Sequence, residues 1–528
     1  MQIQKRLRGR ALCAVLAILL LLGSLMSASA AKSEKNKVPV IFVAGFMSTN
    51  TIDKATGETL FPPSKNLIAA AIKDALAPAA KNLTHGASVN WKYPLNQAAL
   101  RLLNGIRCDE NGVPINDHSG TAYSWPTPEE VREKYHKDTG YTAEDPIYYS
   151  YDWRLDLKTL ANKLHSFIEY VRDCTGAKKV KLICHSMGTC VASTYMYLFG
   201  DEYLDDVILY MGALNGSSSC GDPFENNLGM DSETTMAAVN AMLGTDLKGE
   251  LAKAAVDVLY QEGTVDLLVG VTDKLLFGLF ERLYEESMPY IFGRIPGFWA
   301  LIPAEHYYSV RDGFAAGVVT EEFYEKVDFY HTVQEHEVET MQSVMDKGVG
   351  LSVVAKYGYP LAPIVESRHT ESDFVVDAKY SSMGATCAPY NETLPADYVQ
   401  AMHPEKDYVS PDRKIDASTC AFPEQTWFIK NSMHTDTVTG KPEKTPEEQK
   451  MLQWILCADG QPTVRDNPDY PQYMVYLPDG HLVPLTEENN CDLLGNTVRE
   501  TSFTDRIKRI FEDLQSLFLL PIKSSRIF

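Results

Sequence analysis

The stretch from 180 to 211 constrains the fold more than any other part of the chain. Val180-Lys-Leu-Ile183 is a short apolar run, and Cys184-His-Ser-Met-Gly188 follows it at once. A helix-compatible stretch to Gly200 and a second apolar run, Val207-Ile-Leu-Tyr-Met211, complete the unit. Strand, tight turn, helix and strand in that order are the sequence pattern of a doubly wound α/β sheet. Val38-Pro-Val-Ile-Phe-Val-Ala-Gly45 is a continuous β-branched run, which suits a parallel strand covered on both faces. Leu157, Leu160, Ala161, Leu164, Ile168 and Val171 recur at helical spacing until Gly176, where a helix stops.

The rest of the 528 residues arrange around this core. Lys5, Arg6, Arg8 and Arg10 precede an apolar run from Ala11 to Leu22, and Ala28-Ser-Ala30 offers a small-residue cleavage pattern, so residues 1–30 read as an export signal cut near Ala30. The expected location is secreted or extracellular. Losing those four positive charges takes the net charge from −21 to −25, which excludes broad affinity for nucleic acid. Residues 31–220 form the first part of the core, and 221–350 read as a helical cap, or lid, rich in apolar and aromatic side chains. The core resumes over 351–440 with Leu351-Ser-Val-Val-Ala-Lys-Tyr357. Residues 441–528 form a C-terminal extension with an amphipathic helix around 503–518, expected to dock on the core.

Nine cysteines remain after removal of Cys13, so one at least stays unpaired. Export permits disulfides, and sequence order suggests Cys387 with Cys420 and Cys457 with Cys491. No cysteine or histidine spacing suits a metal framework.

Ser-Met-Gly occurs at Ser186 and at Ser382, and context separates them. Ser186 follows a strand and opens a helix, the nucleophile-elbow arrangement, with small residues Cys184 and Gly188 flanking it; Ser382 has no such switch. A serine nucleophile needs a base and an orienting carboxylate, which in this topology follow in the order Ser, Asp, His. Asp373, after a strand-like stretch, is the expected acid, with Asp377 its competitor. His434 is the expected base, because Gln425-Thr-Trp-Phe-Ile429 runs into the loop that carries it; His481 and His403 are the rivals. His185 adjoins the nucleophile and is expected to pack against or orient the elbow. Backbone N–H groups of Phe46 and Met187 are the expected oxyanion donors.

Together these segments resemble the lecithin:cholesterol acyltransferase and lysosomal phospholipase family, and also bacterial α/β-hydrolase lipases. Pro39-Val-Ile-Phe-Val-Ala-Gly-Phe46 is similar to that family's first strand and oxyanion loop, Tyr151-Asp-Trp-Arg154 to its tetrapeptide of the same residues, and His185-Ser-Met-Gly188 to its elbow. Phe298-Trp-Ala-Leu-Ile-Pro303 is similar to its aromatic stretch ahead of the acid. Ser372-Asp-Phe-Val-Val376 is like the lipases' Asp-Gly-x-Val strand end, with Phe374 where Gly is usual. The resemblance implies an α/β-hydrolase fold, with the mostly parallel central sheet read above, a mobile lid and acyl-ester substrates, and the triad chemistry is expected to use no cofactor. Tyr151–Arg154 reads as scaffold, with Trp153, Phe298 and Trp299 as candidate substrate contacts. An acyltransferase that passes the acyl group to an alcohol, and a noncatalytic lipid-binding protein on the same scaffold, are the alternatives.

Overall fold

The computed structural model describes residues 38–71, 73–74, 92–116, 118–136, 145–243, 247–261, 263–270, 272–273, 284–285, 287–436, 446–458 and 460–491. Residues 1–30, read as an export signal, and 503–518, expected to form an amphipathic helix, lie outside the described residues.

Eight strands form the central sheet: β1 (Val40–Val43), β2 (Ile147–Tyr149), β3 (Val180–His185), β4 (Leu204–Tyr210), β5 (Gly350–Tyr357), β6 (Thr426–Lys430), β7 (Tyr473–Tyr476) and β8 (Leu482–Pro484). Their spatial order is β8-β7-β6-β5-β4-β3-β1-β2. All neighbours run parallel except the antiparallel pair β7–β8. Every residue of β1, β5, β6 and β7 is buried. That is why these strands read as mainly apolar runs rather than alternating ones. Burying each Val, Ile or Phe contributes about 1.5–3 kcal/mol.

The chain passes from β1 out to β2 and then back across β1 to β3. The sheet therefore reverses its winding between β1 and β3, and the crevice at their C-terminal ends is where open α/β sheets place ligands. Helix α1 (Leu157–Thr175) makes the crossover. It is capped by Asp156, whose side chain accepts from Thr159 N, and it ends at Gly176 with φ of 72°. Its buried face is Leu157, Leu160, Ala161, Leu164, Phe167, Ile168 and Val171. Helix α2 (Met187–Phe199) follows β3 directly.

Between β4 and β5 the expected cap interval divides in two. Helices α3 (Ser218–Phe224), α4 (Ser232–Met242), α5 (Leu247–Gln261) and α6 (Pro296–Trp299) come first, and Phe224 of α3 and Trp299 of α6 are buried in a separate aromatic cluster with Tyr307, Phe314 and Phe323. Helices α7 (Glu321–Glu335) and α8 (Glu337–Asp346) instead give Tyr330, Val333, Met341 and Val344 to the main core. Beyond β6, helix α9 (Pro446–Cys457) buries Met451, Leu452, Ile455 and Leu456 in that same core before β7 and β8 extend the sheet. No helix among the described residues is long and apolar enough to cross a membrane.

The expected disulfides are not formed: none joins the described cysteines. Cys457, at the end of α9, accepts a hydrogen bond from Gln453 Nε2 at 2.8 Å, whereas Cys491 lies 3.8 Å from Asn431 Nδ2 beyond β6. Cys387 and Cys420 do pack on one apolar cluster. Cys387, however, turns its thiol toward Ala385 O, and burial pushes the Cys420 thiol up to about 12.

Candidate active site

Ser186 stands between β3 and α2 with φ of 54° and ψ of −127°, a conformation costly for any residue with a Cβ, on the order of 1–3 kcal/mol. Bonds on both sides hold it. Its N–H donates to Tyr210 O at 3.1 Å, extending the β3–β4 pairing by one residue. Its carbonyl accepts from Thr189 N at 2.9 Å and from Thr189 Oγ1 at 2.7 Å. Two glycines make the turn sterically feasible. A Cβ on Gly188 would lie 2.4 Å from Val43 O and 2.8 Å from Ala44 O, and a Cβ on Gly45 would lie 2.7 Å from Ser186 Cβ. The end of β1 and the elbow thus press against each other backbone to backbone, which brings Phe46, the residue after Gly45, beside the nucleophile candidate. Met187 is the first residue of α2, so its N–H has no acceptor within the helix.

Asp373 and His434 meet. Asp373 is fully buried, and its Oδ2 lies 2.7 Å from His434 Nδ1. Oδ1 accepts from Val375 N at 3.0 Å and Val376 N at 2.7 Å, so the carboxylate is clamped by the turn after it. The backbone repeats the link, His434 N donating to Asp373 O at 2.9 Å. Phe374 has φ of 84°, a glycine-like conformation that explains why Gly is usual in the similar lipase motif. Asp377 is engaged elsewhere: its carboxylate accepts from Ser218 N at 2.9 Å and Ser218 Oγ at 2.7 Å. His481 and His403 are exposed on turns.

His185 links the two halves. Its ring centroid lies 4.9 Å from that of His434 and 6.0 Å from those of Tyr210 and Phe42. A Cβ on Gly45 would approach its Nδ1 to 2.9 Å, so His185, Gly45, Ser186 and His434 form one contiguous group. Burial, first, and then the neighbouring His434 and Lys356 hold the His185 imidazole well below its usual pKa, so it is neutral. The Ser186 hydroxyl makes no hydrogen bond to another described residue, an arrangement common in hydrolases before substrate tightens it. Ser186 is 6% exposed and His434 8%.

Aromatic rings line the oxyanion-loop side. Phe46 meets Trp153 edge-on at 4.5 Å and Phe298 at 5.5 Å, and Phe298 continues to Phe292 and Phe224. Gly297 makes this contact possible, because a Cβ there would fall 2.0 Å from Trp153 O. Trp153 is buried and its indole Nε1 has no hydrogen-bond partner among the described residues. Arg154, by contrast, is scaffold, donating from Nε and Nη2 to the two oxygens of Asp152 at 2.9 and 2.7 Å and from Nη1 to Ser119 Oγ at 3.1 Å. Trp299 lies inside the cap's aromatic cluster, between Phe224, Tyr307 and Phe323, with Nε1 donating to Gly293 O. Its ring contacts are to this cluster and none is to the group around Ser186 among the described residues. Among the described residues, no group of three or more His, Cys, Asp or Glu is placed to hold a metal ion.

Sequence reasoning did not single out Lys356, Glu448 or Tyr476, which converge beneath the His434 loop. The signal for one of them was present: a lysine inside the apolar run of β5.

Residues 130–220 match the family model described as lecithin:cholesterol acyltransferase. That interval holds Tyr151–Arg154, α1, the elbow and β4. No curated protein matches the chain. Among solved structures, a chain in the crystal structure of the Tle4-Tli4 complex is similar at 13% identity over 60% of this chain and 75% of that one, with a TM-score of 0.22. At that score the likeness carries no weight in the argument.

Proposed function

From an α/β-hydrolase core similar to the lecithin:cholesterol acyltransferase family, we propose that this protein is an exported serine hydrolase that cleaves acyl esters of lipids through a Ser186–His434–Asp373 triad. What supports the reading is a strained serine at the sheet's switch point and a buried Asp373–His434 pair at 2.7 Å, with His434 packed on the residue preceding that serine.

In this mechanism Ser186 Oγ attacks the ester carbonyl as His434 Nε2 takes its proton. Asp373, bound at Nδ1, fixes the tautomer and stabilises the imidazolium. The oxyanion is held by the Met187 and Phe46 N–H groups, each worth about 10²–10³ in rate at sites of this kind. His434 then protonates the leaving alcohol, and water, activated by the same imidazole, releases the acid. No cofactor enters. Phe46, Trp153 and Phe298 offer an apolar wall for the acyl chain, each buried methylene contributing about 0.8 kcal/mol. Because Ser186 and His434 are nearly buried, a long-chain ester reaches them only when the cap moves. Leu259, Leu267 and Leu268, exposed on the cap, favour contact with a lipid surface. The charged n-region and apolar run of residues 1–22 support export.

Transfer of the acyl group to an alcohol uses the same triad and differs only in which nucleophile meets the acyl-enzyme. The test is hydrolysis of a graded set of acyl esters by wild type and Ser186→Ala, with and without a lipid alcohol. Ester cleavage lost in Ser186→Ala supports the reading, and equal cleavage by both proteins refutes it.

A further inference from the structure

Lys356, the penultimate residue of strand β5, has a side chain that is completely buried, as is that of Glu448 on α9, and Nζ lies 3.0 Å from Glu448 Oε1. The ammonium also donates to the backbone carbonyl of Asp436 at 2.6 Å. Tyr210 Oη donates to Glu448 Oε1 and lies 3.4 Å from the same Asp436 carbonyl, and Tyr476 Oη donates to Glu448 Oε2 at 3.3 Å. Groups from β4, β5, β7 and α9 thus converge two residues after His434. The segment between is a closed turn, with Asp436 N donating to Met433 O at 3.0 Å and Met433 N donating to Asp436 Oδ2 at 3.2 Å. His434 is consequently held from two sides, by Asp373 on one and through this turn on the other. The His185 ring fills the space between His434 and Tyr210.

A dry ion pair is a poor stabiliser, since desolvating both charges costs about what their attraction returns, and apolar replacements are often neutral or better. What the pair provides here is direction: one ammonium, fixed by a carboxylate that two tyrosines hold in turn, aimed at one carbonyl of the turn that carries the base. We propose that Lys356, locked by Glu448, is a positioning residue for His434, and that α9 and β7, which lie outside the family-matched interval, are therefore part of the catalytic apparatus. This inference rests on the triad reading above.

The test uses the full chain. Lys356→Met alone strands a buried carboxylate and threatens folding. The double variant Lys356→Met with Glu448→Gln removes both charges yet leaves each tyrosine hydroxyl a partner, the amide oxygen accepting from Tyr210 and the amide NH2 donating to Tyr476, so the main loss is the donor to Asp436 O. Thermal melts, kcat and KM on a soluble short-chain ester, and the rate of fluorophosphonate labelling of Ser186 are measured on each. The double variant is expected to melt near wild type while kcat and the labelling rate fall together by about 10- to 100-fold, with KM within about twofold, the size of loss that displacement of a catalytic group by about 1 Å produces. Tyr210→Phe, which removes a hydroxyl and no charge, is expected to lower kcat by a smaller factor at constant KM. A double variant with wild-type stability, kcat and labelling rate overturns the positioning role, as does recovery of kcat in step with melting temperature. Wild type that fluorophosphonate fails to label overturns instead the triad on which it rests.

Discussion

Gly188 offers a quantitative probe of the elbow. In Gly188→Ala the new Cβ would sit 2.4 Å from Val43 O and 2.8 Å from Ala44 O, both backbone atoms within or just after a fully buried strand. A relaxed carbon–oxygen contact needs about 3.2 Å, so the start of α2 must withdraw from β1 by roughly 0.8 Å. Neither partner is the flexible end of a side chain, and overpacking of this kind costs about 1–3 kcal/mol. The functional cost is larger. The same movement separates Ser186 and Met187 from Phe46 and from the Asp373–His434 pair, and misplacement approaching 1 Å lowers turnover about 10²-fold. Urea denaturation gives the stability change, and kcat on a soluble ester, corrected for the folded fraction, gives the catalytic one. Gly188→Ala that is destabilised yet turns over at the wild-type rate would refute the idea that β1 sets the position of the nucleophile.

Asp373→Asn is expected to lower kcat on the order of 10³- to 10⁴-fold, because the neutral amide neither fixes the His434 tautomer nor stabilises its cation. Asp377→Asn is expected to cost about 1–3 kcal/mol of stability through its Ser218 bonds, and to leave kcat of the folded protein within a few fold; esterase assays on both variants distinguish the acid from its neighbour. Burial raises the Glu337 carboxyl from 4.5 to about 8. The folded state therefore holds this proton more tightly than the unfolded state, so the group's contribution is fully present below pH 4.5 and lost as pH rises toward 8, with a ceiling of roughly 4–5 kcal/mol at about 1.4 kcal/mol per unit. Glu337→Gln is expected to flatten the fall in stability across that window, as followed by melting temperature against pH; an unchanged slope contradicts it. Phe374→Gly, at φ of 84°, is expected to keep activity and to change stability by no more than about 1 kcal/mol in either direction, lost ring packing offsetting relief of the backbone.

Much of the core was legible in the sequence because parallel strands are buried on both faces, which leaves β1, β3, β4 and β5 as apolar runs that no surface element imitates. Helix α1 was legible for the complementary reason, one apolar stripe ending at a glycine. Ser186 stood out because the elbow joins a strand to a helix through a single residue, and His434 because a strand runs into its loop. Strand β2 spans only three residues and gave no pattern. The pairing of Asp373 rather than Asp377 with His434 depended on which carboxylate Ser218 claims, a contact 159 residues apart in sequence. Trp299 had the composition of a substrate contact, but its depth in the cap cluster is a tertiary fact. Glu448 was illegible in principle: a glutamate in the first turn of a helix reads as a surface residue complementing the helix dipole, and only the fold brings Lys356 to it. The disulfide expectation failed on the same ground, since sequence order carries no distance.

In the proposed mechanism one hydroxyl, Ser186 Oγ, carries the acyl group. Peptide mapping of the protein after reaction with a fluorophosphonate tests this most directly. A single adduct on Ser186 is expected, formed at least about 10²-fold more slowly in His434→Ala. An adduct on another residue, or ester hydrolysis that persists in Ser186→Ala, would contradict it.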